Sequence, residues 1–198
     1  MKRLGTMLLY GIGIILIAGS MAAPILFAQK QIQAQKNFRV VRDGVFFRSG
    51  QMKLPALGKL ASQHGIRTVI SLRDAEHPGD PPPDADEEAW CRQQEIRYLR
   101  LSPRSWEAKN GEAPVLDNIR QYLELLDRPD SYPILIHCFA GIHRTGAYTA
   151  IYRMEKEGWS VARATDEMRA LGYDRLDEEK DILGFFENYQ PGKLKASK

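Results

Sequence analysis

One segment constrains this chain more than any other: residues 137–146, with the sequence His-Cys-Phe-Ala-Gly-Ile-His-Arg-Thr-Gly. An apolar, strand-like stretch, residues 132–136, precedes it, and a helix-compatible stretch, residues 147–154, follows it. Five residues separate Cys138 from Arg144. The segment therefore has to turn from the end of a strand into the start of a helix, with a thiol and a guanidinium on the same loop.

A loop of this kind has the chemistry of an anion cradle. The backbone N–H groups of residues 139–144 can point inward, and a helix that we expect to begin near Thr145 adds the positive end of its dipole. Arg144 offers a planar fork of donors that matches two phosphate oxygens. Because helix N-termini and neighbouring cations lower the pKa of a cysteine, we expect Cys138 to be a thiolate at neutral pH. A thiolate held against a bound phosphate is positioned to attack phosphorus.

This segment resembles the signature of the cysteine-dependent tyrosine and dual-specificity phosphatases: His-Cys, five residues, Arg, and then Ser or Thr. Its His-Arg-Thr-Gly ending is most similar to the plant and fungal atypical dual-specificity phosphatases and their bacterial relatives. Two earlier segments, residues 45–51 and 65–73, resemble the corresponding upstream parts of that group. The resemblance covers residues 40–190 in several ordered pieces.

Strand-like and helix-like segments alternate along the soluble part of the chain. Residues 38–41 and 45–47 flank Asp43-Gly44, which predicts a hairpin. The alternation with short connections predicts an α/β fold with a mostly parallel central sheet flanked by helices on both faces, and the resemblance implies that this is the phosphatase fold. Ligands of such sheets bind at the carboxyl ends of strands, where residues 137–146 would lie. The other predicted elements are strands at residues 67–72 and 96–101 and helices at residues 54–61, 84–95, 113–126, 161–170 and 177–189.

The resemblance implies phosphomonoester hydrolysis in two steps, with Cys138 as the nucleophile and a phosphocysteine intermediate. It implies that Arg144 binds the phosphate and stabilises the transition state. The Thr145 hydroxyl can hydrogen-bond the thiolate, and we expect His137 to orient the loop through backbone contacts. The substrate-binding residues would be the rest of the loop: Phe139, Ala140, Gly141, Ile142 and His143.

A general acid is also needed, to protonate the leaving oxygen. In the family it is usually an aspartate some thirty residues before the cysteine, but residues 101–112 contain no aspartate. Glu107 is the best-spaced carboxylate in this segment, and Glu112 is the next. Asp74, from a different loop, is a rival. We take Glu107 as the predicted acid.

The loop itself favours a substrate with one phosphate. Phe139, Ala140 and Ile142 are apolar or small, so Arg144 is the only arginine or lysine of the loop. We therefore expect a protein-tyrosine or dual-specificity phosphatase that acts on a phosphorylated protein or a small phosphoester. The resemblance also leaves open an inositol phosphate or pyrophosphate phosphatase. Candidates for a basic pocket rim are Arg48, Arg73 and Arg104.

Two other classes of function stay open. A rhodanese-like sulfurtransferase also uses a strand, a cysteine loop and a helix, although the Cys-x5-Arg spacing argues against it. A non-catalytic pseudophosphatase that tethers a partner to a membrane is compatible with the missing aspartate. A net charge of +3 is too small to indicate nucleic-acid binding. The cysteine and histidine spacings predict no zinc site, and we expect neither a metal nor another cofactor.

The N-terminal part differs in composition. No charged residue lies between Arg3 and Lys30, and residues 7–28 are almost wholly apolar or small. As a helix, these 22 residues would cover the roughly 30 Å hydrocarbon core of a bilayer. We therefore predict a single-pass membrane anchor in residues 1–29, with the side of the catalytic domain undetermined. The alternative is a cleaved signal peptide, with small residues at 20–22, which would release a soluble exported enzyme.

The predicted order is thus anchor, polar linker at residues 30–37, cysteine phosphatase domain at residues 38–190, and basic tail at residues 191–198. Cys91 lies in a predicted helix and is expected to serve packing. Two cysteines do not make a disulfide framework.

Overall fold

The computed structural model describes Ser20 and residues 36–194. Their strands are β1 (Arg39–Arg42), β2 (Phe46–Gly50), β3 (Thr68–Ser71), β4 (Arg97–Arg100) and β5 (Ile134–Cys138). They form one sheet in the order β1-β2-β5-β3-β4. In this described part, β1 is antiparallel to β2, whereas the pairs β2–β5, β5–β3 and β3–β4 are parallel. The sheet is therefore mixed, because the predicted hairpin adds an antiparallel edge strand to a parallel core.

The helices lie close to their predicted positions. The main difference is the predicted helix at residues 177–189, which is instead a 3-10 turn, Leu176–Glu178, followed by a shorter helix. The backbone of Glu179, at φ −89° and ψ 75°, is not helical and separates the two. The helices are α1 (Leu54–His64), α2 (Ala85–Gln93), α3 (Val115–Leu126), α4 (His143–Glu157), α5 (Val161–Ala170) and α6 (Lys180–Glu187).

Helices cover both faces of the sheet, as predicted. Because successive side chains of a strand point to opposite faces, neighbouring apolar residues enter different cores. Phe46 and Ile70 pack with α3, α4, α5 and α6 in one cluster. Phe47, Val69 and Leu135 pack with α1 and α2 in the other. The continuous apolar runs of β2, β3 and β5 are thus explained by burial on both sides.

Local sequence signals end and begin these elements where expected. Gly44 has φ +64° in the β1–β2 turn, a backbone conformation that favours glycine. Gly65 adopts the left-handed conformation after α1 and donates its N–H to the carbonyl of Ala61. The Ser160 hydroxyl accepts the N–H of Arg163 at 3.3 Å and caps α5.

In the part of the chain that is described, no helix combines the length and the apolar character needed to cross a membrane. The predicted anchor, residues 7–28, lies outside the described residues, and so does most of the predicted linker. The last two linker residues, Lys36 and Asn37, are described, and their side chains contact Phe139 and Ala140 of the loop that follows β5.

Candidate active site

The loop after β5 packs backbone against backbone on the end of β2. Cys138 is the last residue of β5, and α4 begins at His143, two residues before the predicted start. Between them, Gly141 has φ +77°, and a Cβ at this position would lie 2.3 Å from the backbone nitrogen of Gly50. Only glycine therefore fits at position 141 while the loop stays in contact with β2.

Arg48 supports the loop from below. This β2 side chain is 2% exposed, and its Nη2 donates to the carbonyl oxygens of Gly141 at 2.9 Å and Ile142 at 3.3 Å. Burial lowers the pKa of Arg48 to about 10, so the group remains a cation at neutral pH. Arg48 is thus not at the pocket rim, for which it was a candidate, because its side chain lies under the loop.

Two further contacts fix the loop backbone. The N–H of Gln51 donates to the carbonyls of Cys138 at 2.8 Å and Phe139 at 3.2 Å. The Nδ2 of Asn37 donates to the carbonyl of Ala140 at 2.9 Å. With its carbonyls bonded outward to these partners, the loop can keep its N–H groups for a ligand.

Cys138 has the surroundings of a thiolate. The N–H of Gly141 donates to its Sγ at 3.2 Å, and the residue is almost fully buried. Burial is the largest single influence and favours the neutral thiol. It is outweighed by hydrogen bonds from the Thr145 hydroxyl, the Thr145 N–H and the Gly141 N–H, and by the charge of Arg144. Together these groups lower the pKa of Cys138 below the 9.0 of an unperturbed thiol.

The guanidinium of Arg144 contacts the chain just after the end of β3. Its Nη1 donates to the carbonyl of Leu72, the residue that follows β3. Leu72 in turn donates its N–H to the carbonyl of His137 at 2.8 Å. Leu72 therefore contacts both ends of the loop: the side chain of Arg144 and the backbone of His137, the residue before Cys138.

The buried ring of His137, the residue before the thiol, contacts the loop backbone. Its Nδ1 is 3.4 Å from the carbonyl oxygen of Cys138. Its Nε2 is 2.6 Å from Oε1 of Glu87, and both side chains are buried. Sequence analysis did not single out Glu87, because an acidic residue in an acidic helix normally faces solvent.

A second buried carboxylate of this region is fully engaged by protein donors. Asp84 accepts hydrogen bonds from the hydroxyls of Ser71 and Tyr98 and is ion-paired with Arg100. Burial alone would raise the pKa of Asp84, but the bonds from Ser71, Arg100 and Tyr98 outweigh it and lower that pKa. One side-chain oxygen or nitrogen atom from each of three buried residues lies within 4.8 Å of the other two: Asp84, Glu87 and His137. The spacing of these residues in the sequence did not predict this cluster.

The candidate general acids lie on exposed loops. Glu107 contacts its own loop, where its N–H and carbonyl bond the Ser105 hydroxyl at 3.2 and 3.4 Å. Glu112 pairs with Arg120 at 2.6 Å. Asp74 accepts the N–H of Ala75 at 2.8 Å. Among the described residues, no recorded contact joins any of these carboxylates to Cys138.

The other loop residues predicted to bind substrate differ in exposure. Phe139 is exposed, with 57% of its surface accessible. Ala140 and Ile142 are half-buried, and His143 is exposed. The His143 ring stacks on Tyr173, with centroids 4.4 Å apart. The accessible side chains of these five are therefore those of Phe139 and His143.

Cys91 is separate from this chemistry. Both cysteines of the chain are free and buried, and Cys91 packs in the cluster beneath α1 and α2. Burial, followed by the charges of Glu87 and Glu88, raises the pKa of Cys91 to about 12. The thiol is therefore neutral at physiological pH.

Comparison with known proteins decides the family. A profile described as "DSP-PTPase phosphatase fused to NAD+ Kinase" matches residues 26–182, which is most of the chain. The chain belongs to this family of dual-specificity phosphatases. This family membership confirms the predicted resemblance to the cysteine-dependent phosphatases.

Individual relatives of this chain support the same assignment. It is 34% identical over 121 residues to the dual specificity protein phosphatase TpbA of Pseudomonas aeruginosa, across 61% of this chain and 48% of TpbA. The match thus spans about half the length of TpbA. Identity to OCA1 of Mycosarcoma maydis is 31% over 140 residues, across 67% of this chain and 78% of OCA1.

Solved structures show the fold. The core catalytic domain of the PP-IP phosphatase Siw14 from Saccharomyces cerevisiae superposes with a TM-score of 0.60 and 22% identity, over 80% of this chain and 88% of that one. TpbA of P. aeruginosa gives a TM-score of 0.57 and 23% identity, with the same coverage. These likenesses confirm the predicted α/β phosphatase fold.

Proposed function

We propose that this phosphatase hydrolyses phosphomonoesters through a phosphocysteine intermediate, with phosphorylated proteins as its substrates. One observation carries the proposal: the buried Cys138 thiol, whose pKa is lowered, lies on a loop that also holds the guanidinium of Arg144. Family membership supports the reaction class. The name of TpbA describes a dual specificity protein phosphatase, and one of its solved structures contains pTyr.

The proposed reaction has two steps. In the first, Sγ of Cys138 attacks phosphorus, the bond from phosphorus to the leaving oxygen breaks, and that oxygen takes a proton from the general acid. Loop N–H groups and Arg144 stabilise the charge on the phosphoryl oxygens. In the second, a water oxygen attacks phosphorus and gives a proton to the ionised form of the general acid, the bond from phosphorus to Sγ breaks, and inorganic phosphate leaves while the thiolate of Cys138 is restored. The hydrogen bond from Thr145 stabilises that departing thiolate.

We propose Glu107 as the general acid, with Asp74 as its rival. The loop that carries Glu107 is anchored by its neighbour Trp106, whose ring packs 4.9 Å from Phe185 and 6.1 Å from Tyr148. Asp74 follows shortly after Leu72, which bonds Arg144, so the chain places it close to the site. However, hydrogen bonds from Ser102 and Ala75 lower the pKa of Asp74, which favours the ionised form over a proton donor.

A second candidate substrate class is an inositol phosphate or pyrophosphate. The inositol diphosphatase Siw14 of S. cerevisiae is 34% identical over 76 residues, across 37% of this chain and 25% of that protein. The observation in its favour is that Lys36 and Arg73 both lie over the ring of Phe139. They add cations outside the loop to the single Arg144 within it, and Arg73 is one of the candidates for a basic pocket rim.

Turnover of p-nitrophenyl phosphate by the full chain in detergent, with and without vanadate, tests the proposal. This ester has a good leaving group and needs little help from a general acid. We expect vanadate-sensitive hydrolysis that Cys138→Ser abolishes while inorganic phosphate still binds. Cys91→Ala is the matched control, because it also removes a cysteine sulfur but from a position outside the loop. This variant should remain active.

Several outcomes would contradict this mechanism. Substantial activity in the Cys138→Ser chain, or loss of wild-type activity in EDTA, would exclude a phosphocysteine as the essential intermediate. Binding of phosphate without any turnover would instead indicate a pseudophosphatase. Transfer of sulfur from thiosulfate would indicate a sulfurtransferase.

A further inference from the structure

The segment that enters the domain from its N-terminal side is fixed to the loop of Cys138. The carbonyl of Lys36 accepts the N–H of Gly50 at 2.6 Å, and the side chain of Asn37 donates to Ala140 at 2.9 Å. Both Lys36 and Asn37 have positive φ, +27° and +58°. Because residues other than glycine rarely adopt this region, the surrounding contacts must hold the two residues in place.

These contacts bring two cations to one aromatic ring. The Nζ of Lys36 lies 3.5 Å from the ring centroid of Phe139, and the Cζ of Arg73 lies 5.2 Å from it. The ring is more than half exposed, so both cations lie at the accessible side of the loop. A cation over an aromatic face is attracted by the ring quadrupole, which holds each charge beside Phe139.

The charges of Lys36 and Arg73 are not neutralised within residues 36–194. No carboxylate of this described part forms an ion pair with either side chain, and Arg73 bonds the neutral amide of Gln51. Burial and the charge of Arg73 lower the pKa of Lys36, whereas the charge of Cys138 acts to raise it. Lys36 and Arg73 repel each other and have no carboxylate partner among residues 36–194, so a bound anion would offset that repulsion.

We propose that Lys36 and Arg73 form a second anion-binding subsite at the mouth of the Cys138 loop, which takes a carboxylate or a second phosphate of the substrate. The inference rests on the proposed function, because the subsite is defined relative to the phosphate that Cys138 attacks. Phe139 separates the two anion sites and holds both cations. Lys36 and Arg73 are thus residues that determine substrate preference, and the first of them comes from the N-terminal side of the domain.

Three phosphotyrosine peptides that differ at one flanking position, Ala, Glu or phosphoserine, test the subsite with the full chain in detergent. We expect kcat/KM of the wild type to be higher for both anionic peptides than for the Ala peptide. In Lys36→Gln, kcat/KM for the anionic peptides should fall about fivefold to tenfold, mainly through KM, as expected for loss of a charged hydrogen-bond donor. The Ala peptide should lose much less. The Glu and phosphoserine arms distinguish a carboxylate from a phosphate as the preferred anion.

Matched variants separate recognition from folding. Lys36→Arg keeps the charge and should keep the preference, whereas Lys59→Gln removes an exposed lysine of α1 and should change nothing. Arg73→Gln should reduce the preference in the same way as Lys36→Gln. Equal losses on all three peptides in Lys36→Gln, or no preference in the wild type, would overturn the subsite while leaving the phosphatase reaction intact.

Binding measurements test the subsite even if no peptide is hydrolysed. On the Cys138→Ser chain, calorimetry should show tighter binding of inorganic pyrophosphate than of inorganic phosphate. Adding Lys36→Gln should reduce that ratio by about the same fivefold to tenfold. An unchanged ratio would contradict the subsite. Absence of turnover together with a changed ratio would contradict only the proposed hydrolysis.

Discussion

Arg48 donates a hydrogen bond of 2.9 Å to the carbonyl oxygen of Gly141 from beneath the loop that carries the thiol. In a planar peptide the carbonyl and the following N–H point in opposite directions. Each carbonyl that Arg48 holds below the loop therefore directs an N–H away from Arg48. A buried cation thus determines which backbone groups remain for an anion.

Replacing Arg48 by Met should weaken catalysis and folding together. Its loss removes the donor to the Gly141 carbonyl and one of the two donors to the Ile142 carbonyl, which also accepts the N–H of Gly146. This should lower the free energy of unfolding by about 1–3 kcal/mol. We expect kcat to fall on the order of tenfold or more, because the loop N–H groups lose their orientation. Steady-state kinetics and denaturant unfolding measure both effects. Arg39→Met, an exposed change on the neighbouring strand, should show neither, and a fully active Arg48→Met chain would contradict this role.

Arg144→Lys should abolish most of the activity. A lysine keeps the positive charge but loses the planar pair of donors that matches two phosphate oxygens. We expect kcat to fall on the order of a hundredfold, as for removal of a preorganised charge-stabilising donor. Arg67→Lys, the same change at an exposed position, is the control in the same p-nitrophenyl phosphate assay. A loss of only twofold or threefold in Arg144→Lys would place the guanidinium outside the site.

The reactivity of Cys138 should depend on Thr145. Because the folded pKa of Cys138 is lowered, the thiolate forms as pH rises through a value below 9.0. Thr145→Val removes the hydroxyl bond that favours the charged form, so the pH at half-maximal alkylation by iodoacetamide should rise. Thr149→Val is the control, since the Thr149 hydroxyl donates to the Thr145 carbonyl at 2.7 Å. A profile that moves equally in both variants would show a general disturbance of α4.

The same shift links pH to stability. The ionised Cys138 is favoured in the folded chain, so its stabilising contribution is complete above the pKa of the unfolded thiol. It is lost as pH falls through the lower folded pKa. In Thr145→Val, the free energy of unfolding should change less with pH over this range.

A series of aryl phosphates identifies the general acid. Loss of the acid should reduce kcat most for phenyl phosphate, whose leaving oxygen needs a proton, and least for p-nitrophenyl phosphate. We expect Glu107→Gln to show this dependence on the leaving group, with a loss of about a hundredfold on phenyl phosphate. Glu112→Gln, on the same loop, is the control. The same dependence in Asp74→Asn, and not in Glu107→Gln, would assign the acid to Asp74.

We propose that residues 7–28 remain in the mature protein as a membrane anchor. Their apolar character and length favour insertion, because about twenty apolar residues span the hydrocarbon core. After carbonate washing of cell membranes, the full chain should stay in the pellet and dissolve only in detergent. Intact-mass measurement should show the N-terminal residues still present. A soluble product that begins near residue 23 or 29 would instead demonstrate a cleaved signal.

The sequence by itself determined the local elements and the identity of the reactive loop. The Asp43-Gly44 turn and the apolar runs of β3 and β5 depend on neighbouring residues, so short patterns predicted them correctly. The spacing of Cys138 and Arg144 likewise lies within one continuous segment. The break at Glu179 was missed, because the apolar period continues across it and only the backbone angles separate the two pieces.

Only the tertiary structure decided which distant residues support that loop. Arg48, Glu87 and Lys36 lie 90, 51 and 102 positions before Cys138 in the sequence, beyond the reach of any local periodicity. Their role depends on the sheet order, which places β2 beside β5. It also depends on α2 and on the chain at Lys36, which pack beside residues 137–140. Buried cations and carboxylates look like surface charges in a sequence, since their partners become neighbours only after the chain has folded.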